Sequence, residues 1–340
     1  MPSSEGRPRS AQGVTGLLYE LPCRLRRYMY APFAFLRSRS ARKPRLSAAT
    51  GAAENARPAA ASDPLIEGMT SAAGRRRLDS RAFFRVRVSI LLSILIAVLV
   101  WAGCDIQRRR ARNQWVDTLE VALILVQKDN LDDGAVEKLK RRAGALEERL
   151  AAEFHRRNPD APKPFHFVVK GPVDLRRAPP RQPSEGLFDL ARYNFDLWRF
   201  VRGVNADAGV EASSFDATIY LVARSPKRAS GGSVEGASQE GGTVGVVEVE
   251  LDRAMVDFAL FVTTHELLHL LGAKDKYDAS GRSLVPEGLA EPELSPLYPQ
   301  RRAEVMARNV ALSPTQERPP ESLSDLQVGA ATAREIGWAR

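Results

Sequence analysis

Residues 254–275 read AMVDFALFVTTHELLHLLGAKD, and the rest of the fold is organised around this stretch. From Ala254 to Leu271 apolar residues occupy nearly every face of a 3.6-residue period, so the segment is predicted as a helix buried all round. Two imidazoles and a carboxylate interrupt it. His265 and His269 are four apart, which puts them on one face, one turn apart, where both rings can address a single ion. Glu266 is rotated by about 100° from His265. It therefore lies beside such an ion, in position to take a proton from water. An ionised Glu and two imidazoles are costly to bury without a partner, and a divalent cation is one. The bland alternative is a chance HExxH on a core helix whose histidines are satisfied by ordinary hydrogen bonds.

Gly272 follows His269 by three residues, and Asp275 follows Gly272 by three. Glycine can end a helix in a left-handed turn, and such a turn sends the chain back toward the ion, where Asp275 can supply a third ligand. The chain has only four histidines. His155 and His166 are far upstream and read as ordinary surface or strand residues, and none follows His269. The third protein ligand is therefore expected to be a carboxylate. Asp275 is the first choice, with Asp278, Glu287 and Glu291 as competitors; the Pro-flanked setting of PEGLAEPE argues against a second ligand-bearing helix there.

The string HELLHLLGAKD resembles the extended zinc motif of the metzincin metalloproteases, HExxHxxGxx followed by His or Asp, and its Asp form is similar to that of snapalysin-type enzymes. The resemblance runs from about Val244 to Trp338. It implies a metzincin-like mixed sheet, a long active-site helix and a small C-terminal subdomain. It also implies Zn2+ on His265, His269 and Asp275, a polypeptide substrate, and Glu266 as the general base. Met306, in AEVMARN, stands where that family has a methionine turn beneath the histidines. Val244–Glu250 stands where it has the edge strand that pairs with substrate. Tyr277 and Tyr298 are candidates to donate a hydrogen bond to a tetrahedral intermediate. A helix near Glu185–Val204 is not an obvious part of the family's minimal topology, and no propeptide cysteine is visible.

Outward from the motif the pattern is that of an α/β (α+β) domain over 113–340. Thr118–Gln127, Phe165–Lys170, Ala217–Ala223 and Val244–Glu250 read as strands, the last half-exposed. Asp132–Arg157 and Glu185–Val204 read as amphipathic helices, and Ser230–Gly242 as a Gly/Ser loop. A final helix is expected to start at Ser324, which has capping-box spacing to Gln327, and to stop at Gly337.

Val88–Cys104 is a run of 17 residues without a charge, which as a helix spans about 25 Å. It is expected to be a transmembrane helix or signal anchor over 86–104, crossing a lipid bilayer once. A buried core helix is the alternative. Gly74–Arg87 holds six Arg against four between Asp105 and Leu119, which favours the N-terminus inside and places the C-terminal domain on the outer side of the cytoplasmic (inner) membrane. Translation from Met69 would make the run a signal's hydrophobic region, and WAGC partly resembles a lipoprotein cleavage site at Cys104.

Residues 1–85 are rich in Arg, Ala, Ser and Pro and read as a disordered basic tail, although LLYELPCRLRRYMYAPFAFL could lie on a membrane surface. Met1–Arg87 holds 17 Lys and Arg against 6 Asp and Glu, which more than accounts for the net charge of +9. The folded part is slightly acidic and presents no nucleic-acid footprint. Its lack of cysteine excludes a disulfide framework and a thiolate metal site. Two other functions fit the same residues: a tethered, non-catalytic module stapled by metal, and a zinc amidase acting on cell-wall peptides. Lys274 and Lys276, beside the motif, would weaken metal binding and slightly favour the non-catalytic reading.

Overall fold

The computed structural model describes residues 80–181, 186–226, 234–238 and 242–339. The expected basic tail and its apolar patch lie outside these residues, apart from the first turns of helix α1 (Ser80–Arg112). Its 33 residues extend about 50 Å, and it is long and apolar enough to cross a membrane: mean hydropathy reaches 2.3, with none of that window buried. A buried core helix would pack against the described residues, and this apolar window does not. The helix also outruns the expected 86–104, because the arginines after Cys104 favour helix as readily as the apolar run does.

The next elements form a three-layer α/β arrangement. They are β1 (Leu119–Gln127), α2 (Asp133–His155), β2 (Phe165–Asp174), α3 (Leu187–Ala208), β3 (Ala217–Arg224), β4 (Val234–Ser238), β5 (Val244–Glu250) and α4 (Val256–Leu270). The sheet order is β2-β1-β3-β5-β4. All neighbours are parallel except β4, which runs antiparallel to β5. Val121, Leu123 and Leu125 of β1 point to the side that carries α2 and α4. Ala122, Ile124 and Val126 point to the side of α3, with its buried Phe200 and Val204. A central parallel strand buried on both faces must be apolar at every position, which is why β1 reads as a continuous run. Asp132 caps α2, its carboxylate accepting from the Gly134 N–H at 3.3 Å.

Three expectations change. Val244–Glu250 is not an edge: β5 is held between β3 and β4 and is mostly buried. The edge strand is β4, which lies inside the stretch expected to be loop. Its Gly and Ser have low strand propensity, and pairing with β5 holds it extended. The C-terminal helix α5 (Ala330–Glu335) begins after Gly329, not at Ser324. Ser324 lies instead in a 3-10 turn (Leu323–Asp325), and Leu326–Gln327 pairs with Ala303–Glu304. The stop at Gly337 stands, with φ of 79°.

The part after α4 is a small subdomain of short pairings: β6 (Ala303–Glu304) with β9 (Leu326–Gln327), and β7 (Val310–Ala311) with β8 (Glu317–Arg318). It joins the main core through Trp338, which packs against Trp115, Phe154 and Phe165 at centroid distances of 5.6, 5.2 and 6.2 Å.

Candidate metal centre

Helix α4 is clamped from the sheet side and from α2, and its two threonines are satisfied internally. Thr263 and Thr264 hydroxyls donate to the Ala259 and Leu260 carbonyls, which removes the cost of burying them. The helix ends as its sequence predicts. Gly272 takes φ of 99°, a conformation that favours glycine, and the Ala273 N–H reaches back to the Leu268 carbonyl at 3.0 Å. The reversal carries Asp275 to the histidines.

Both imidazoles are fixed in one tautomer. His265 Nδ1 lies 3.0 Å from the Val305 carbonyl oxygen, and His269 Nδ1 lies 2.8 Å from that of Ala273. A carbonyl can only accept, so each Nδ1 carries the proton and each Nε2 presents a lone pair. These lone pairs face each other: Nε2 to Nε2 is 3.1 Å. Asp275 Oδ1 lies 3.3 Å from His265 Nε2 and 3.2 Å from His269 Nε2. Three acceptors at this spacing repel one another unless something positive joins them. A four-coordinate divalent ion with ligands at about 2.0–2.1 Å sets neighbouring ligand atoms about 3.3 Å apart. The observed triangle has that size, so the group could hold a metal ion. Donation of the second ring N–H to a backbone carbonyl is also the usual support for a ligating histidine.

His265 is buried, His269 half-buried and Asp275 exposed, so the triangle opens toward solvent on the Asp275 side. Glu266 is buried, and its Oε2 has no hydrogen-bond partner among the described residues. Gly236 of β4 backs onto it so closely that a Cβ there would collide with Glu266 Oε1. A buried carboxylate oxygen without a donor is costly, and a water molecule beside the triangle would satisfy it.

The competing carboxylates go elsewhere. Asp278 Oδ1 accepts from Ser280 N and Oγ and from Arg282 N, closing a turn. Glu291 Oε2 accepts from the Arg301 N–H, and Glu287 is exposed. His155 bonds the Ala161 carbonyl, and His166 lies beside Glu147. Tyr277 stacks on His265 at 6.4 Å with the Arg308 guanidinium 4.8 Å over its ring. Lys276 does not face the site as a free charge: its ammonium is buried against Glu335 Oε1 at 2.6 Å, while Glu335 Oε2 takes the Lys274 N–H.

Sequence reasoning missed the supports. The Met306 segment meets the site through its backbone: the Val305 carbonyl holds His265, and the Met306 carbonyl accepts from the Lys276 N–H at 3.0 Å. Glu304 builds that segment. Fully buried, it accepts from Met306 N and Ala307 N through Oε2, and from Gly329 N and Thr332 Oγ1 through Oε1. Burial pushes its carboxyl up, and these four donors only partly offset the push. The pattern Glu-Val-Met is the sole trace of this in the sequence, and it has no periodicity to announce it.

Compared with known proteins, the chain matches no protein-family model and no curated protein. The site therefore stands on its own chemistry.

Proposed function

We propose that this chain is a membrane-anchored zinc-dependent metalloprotease of the metzincin type, with its catalytic domain on the outer side of the inner membrane. One observation carries the reading: two Nε2 lone pairs and a carboxylate oxygen converge at the spacing of metal ligands, beside a buried glutamate with an oxygen that no described residue pairs. The donor set of two imidazoles and one carboxylate suits zinc and leaves a position open, as catalytic sites require. The methionine segment after the helix, and the aspartate just past the glycine bend, support the resemblance.

Zinc held there supplies Lewis acidity, polarising a carbonyl and bringing the acidity of water near neutrality. The protein's own groups do the rest. Glu266 takes the proton from the attacking water and passes it to the departing amine. Val305 and Ala273 keep both imidazoles in the ligating tautomer. An extended polypeptide can add to the outer edge of β4, the strand whose Gly236 lies against Glu266, with its backbone paired and its scissile bond over the triangle. Tyr277, flanked by Arg308, is available to donate to the developing oxyanion.

The test uses the full chain in detergent with a mixture of unfolded polypeptides. Glu266→Gln should retain zinc and lose hydrolysis, and in the unaltered chain a chelator should abolish activity that zinc then restores. Full activity in Glu266→Gln, or a folded chain that takes up no zinc at saturation, ends this reading.

A further inference from the structure

Helix α3 buries only part of its surface. Phe200, Val204 and Asn205 are its buried residues, while Phe188 and Phe195 on the other side are 83% and 55% exposed and Trp198, on the flank beside Asn205, is 43% exposed. At about 100° per residue, Phe188, Phe195 and Arg202 follow one line along the helix, with Arg192 and Arg199 beside it. Asp189, Asp196 and Asp207 fall on the flank. The outward face is thus aromatic and cationic. Arg199 lies over the Phe195 ring at 5.7 Å and Arg202 over Trp198 at 5.6 Å.

Beside the C-terminal half of α3 is a hollow of about 410 Å³ lined by Arg176, Arg177, Arg199 and Arg202, with Asp174 and Asp207. Asp207 pairs with Arg176 at 2.9 Å. The arginines outnumber the carboxylates, so the hollow attracts an anion, and guanidinium groups suit phosphate in particular.

We propose that this face docks on an anionic phospholipid surface, with Phe188, Phe195 and Trp198 entering the headgroup layer and Arg177, Arg199 and Arg202 meeting lipid phosphates. Large exposed aromatics interleaved with arginine are the composition of helices that lie in a membrane interface. The charge is complementary to acidic lipid. The partner is also always at hand: a helix able to span the bilayer ends at Arg112, and Trp115 is already in the core. A membrane-inserted chain therefore meets its lipid at high effective concentration. The inference rests on α1 entering a bilayer, and it is independent of the metal centre.

Hydrogen exchange on the full chain tests it, in nanodiscs of phosphatidylcholine alone, in discs with one-third phosphatidylglycerol, and in neutral detergent. Amides of α3 should exchange at least about tenfold more slowly in the anionic discs, three arginines each favouring such a surface. The triple variant Phe188→Ser, Phe195→Ser, Trp198→Ser should lose that protection and leave α2 unchanged. Equal α3 exchange in all three media, with α1 protected, overturns the proposal. So does protection that appears in detergent and grows with protein concentration, which would assign the face to a second copy. Unprotected α1 in discs would overturn the anchor, and this inference with it.

Discussion

The carbonyl oxygen of Val305 lies 3.0 Å from Nδ1 of His265, and this contact joins helix α4 to a segment forty residues further along the chain. It decides which ring nitrogen is free. With Nδ1 committed as a donor, Nε2 is left as a lone pair aimed at His269 and Asp275, and the C-terminal subdomain becomes part of the candidate metal centre.

Metal should therefore stabilise the fold as well as serve the chemistry. Zinc bound only by the folded state adds about 4 kcal/mol at a thousandfold excess over Kd. Calorimetry of the full chain should show the unfolding midpoint rise with zinc and fall with chelator. His269→Ala should make the midpoint insensitive to both. A wild-type midpoint that ignores zinc would mean the three acceptors do not act together.

Glu304 should behave as a positioning residue for His265. In Glu304→Gln, whichever way the amide turns, its NH2 meets a backbone N–H that formerly donated to a carboxylate oxygen. Stability should drop by about 1–3 kcal/mol. Because the same turn carries the Val305 carbonyl, zinc affinity should fall by about 10–100-fold, the range for supports of metal ligands. A competitive chelator titration reads this directly. Loss of stability with unchanged affinity would show that the turn supports the core and not the ligand.

How much of this could be read beforehand follows from the kind of force involved. The runs in β1 and β3 and the all-round apolar α4 were legible because burial on two faces demands continuous hydrophobicity, whereas the alternation of β5 announced a strand but not its burial between β3 and β4. His265, His269 and Asp275 were legible because helix periodicity and a glycine stop place them together. Strand β4 was not: VEGAS has little strand character of its own and is held by hydrogen bonds to β5. The Val305 and Ala273 carbonyls were invisible because every residue has one. Lys276 read as a free charge because its partner Glu335 is distant in sequence and near only in the fold.

Gly236 is the clearest test of that hidden strand. A methyl group there would collide with Glu266 Oε1, and the carboxylate, being the end of a flexible side chain, would move. Gly236→Ala should then keep its zinc and lose about a hundredfold in kcat, the order expected for a displacement near 1 Å in a reacting group. Metal content by mass spectrometry, measured beside turnover, separates this from a ligand defect. Unchanged turnover would mean that the Glu266 carboxylate does not need the position β4 imposes.

Acid sensitivity should centre on Asp257. Burial pushes its carboxyl up, but the two-point grip of Arg142, at 2.7 and 2.6 Å, and the Leu323 N–H more than reverse this, so it lies below its ordinary 3.8. A carboxyl with a lowered folded pKa stabilises the fold above its unfolded value, and that stabilisation is lost as pH falls through the folded value. The pair ties α4 to α2, the 3-10 turn at Leu323 resting on it. Unfolding midpoints measured from pH 6 downward should thus decline below about pH 4, and Asp257→Asn should start lower and decline less steeply. Parallel declines in the two proteins would assign the acid limb to other carboxylates and leave the Arg142 grip without a part in it.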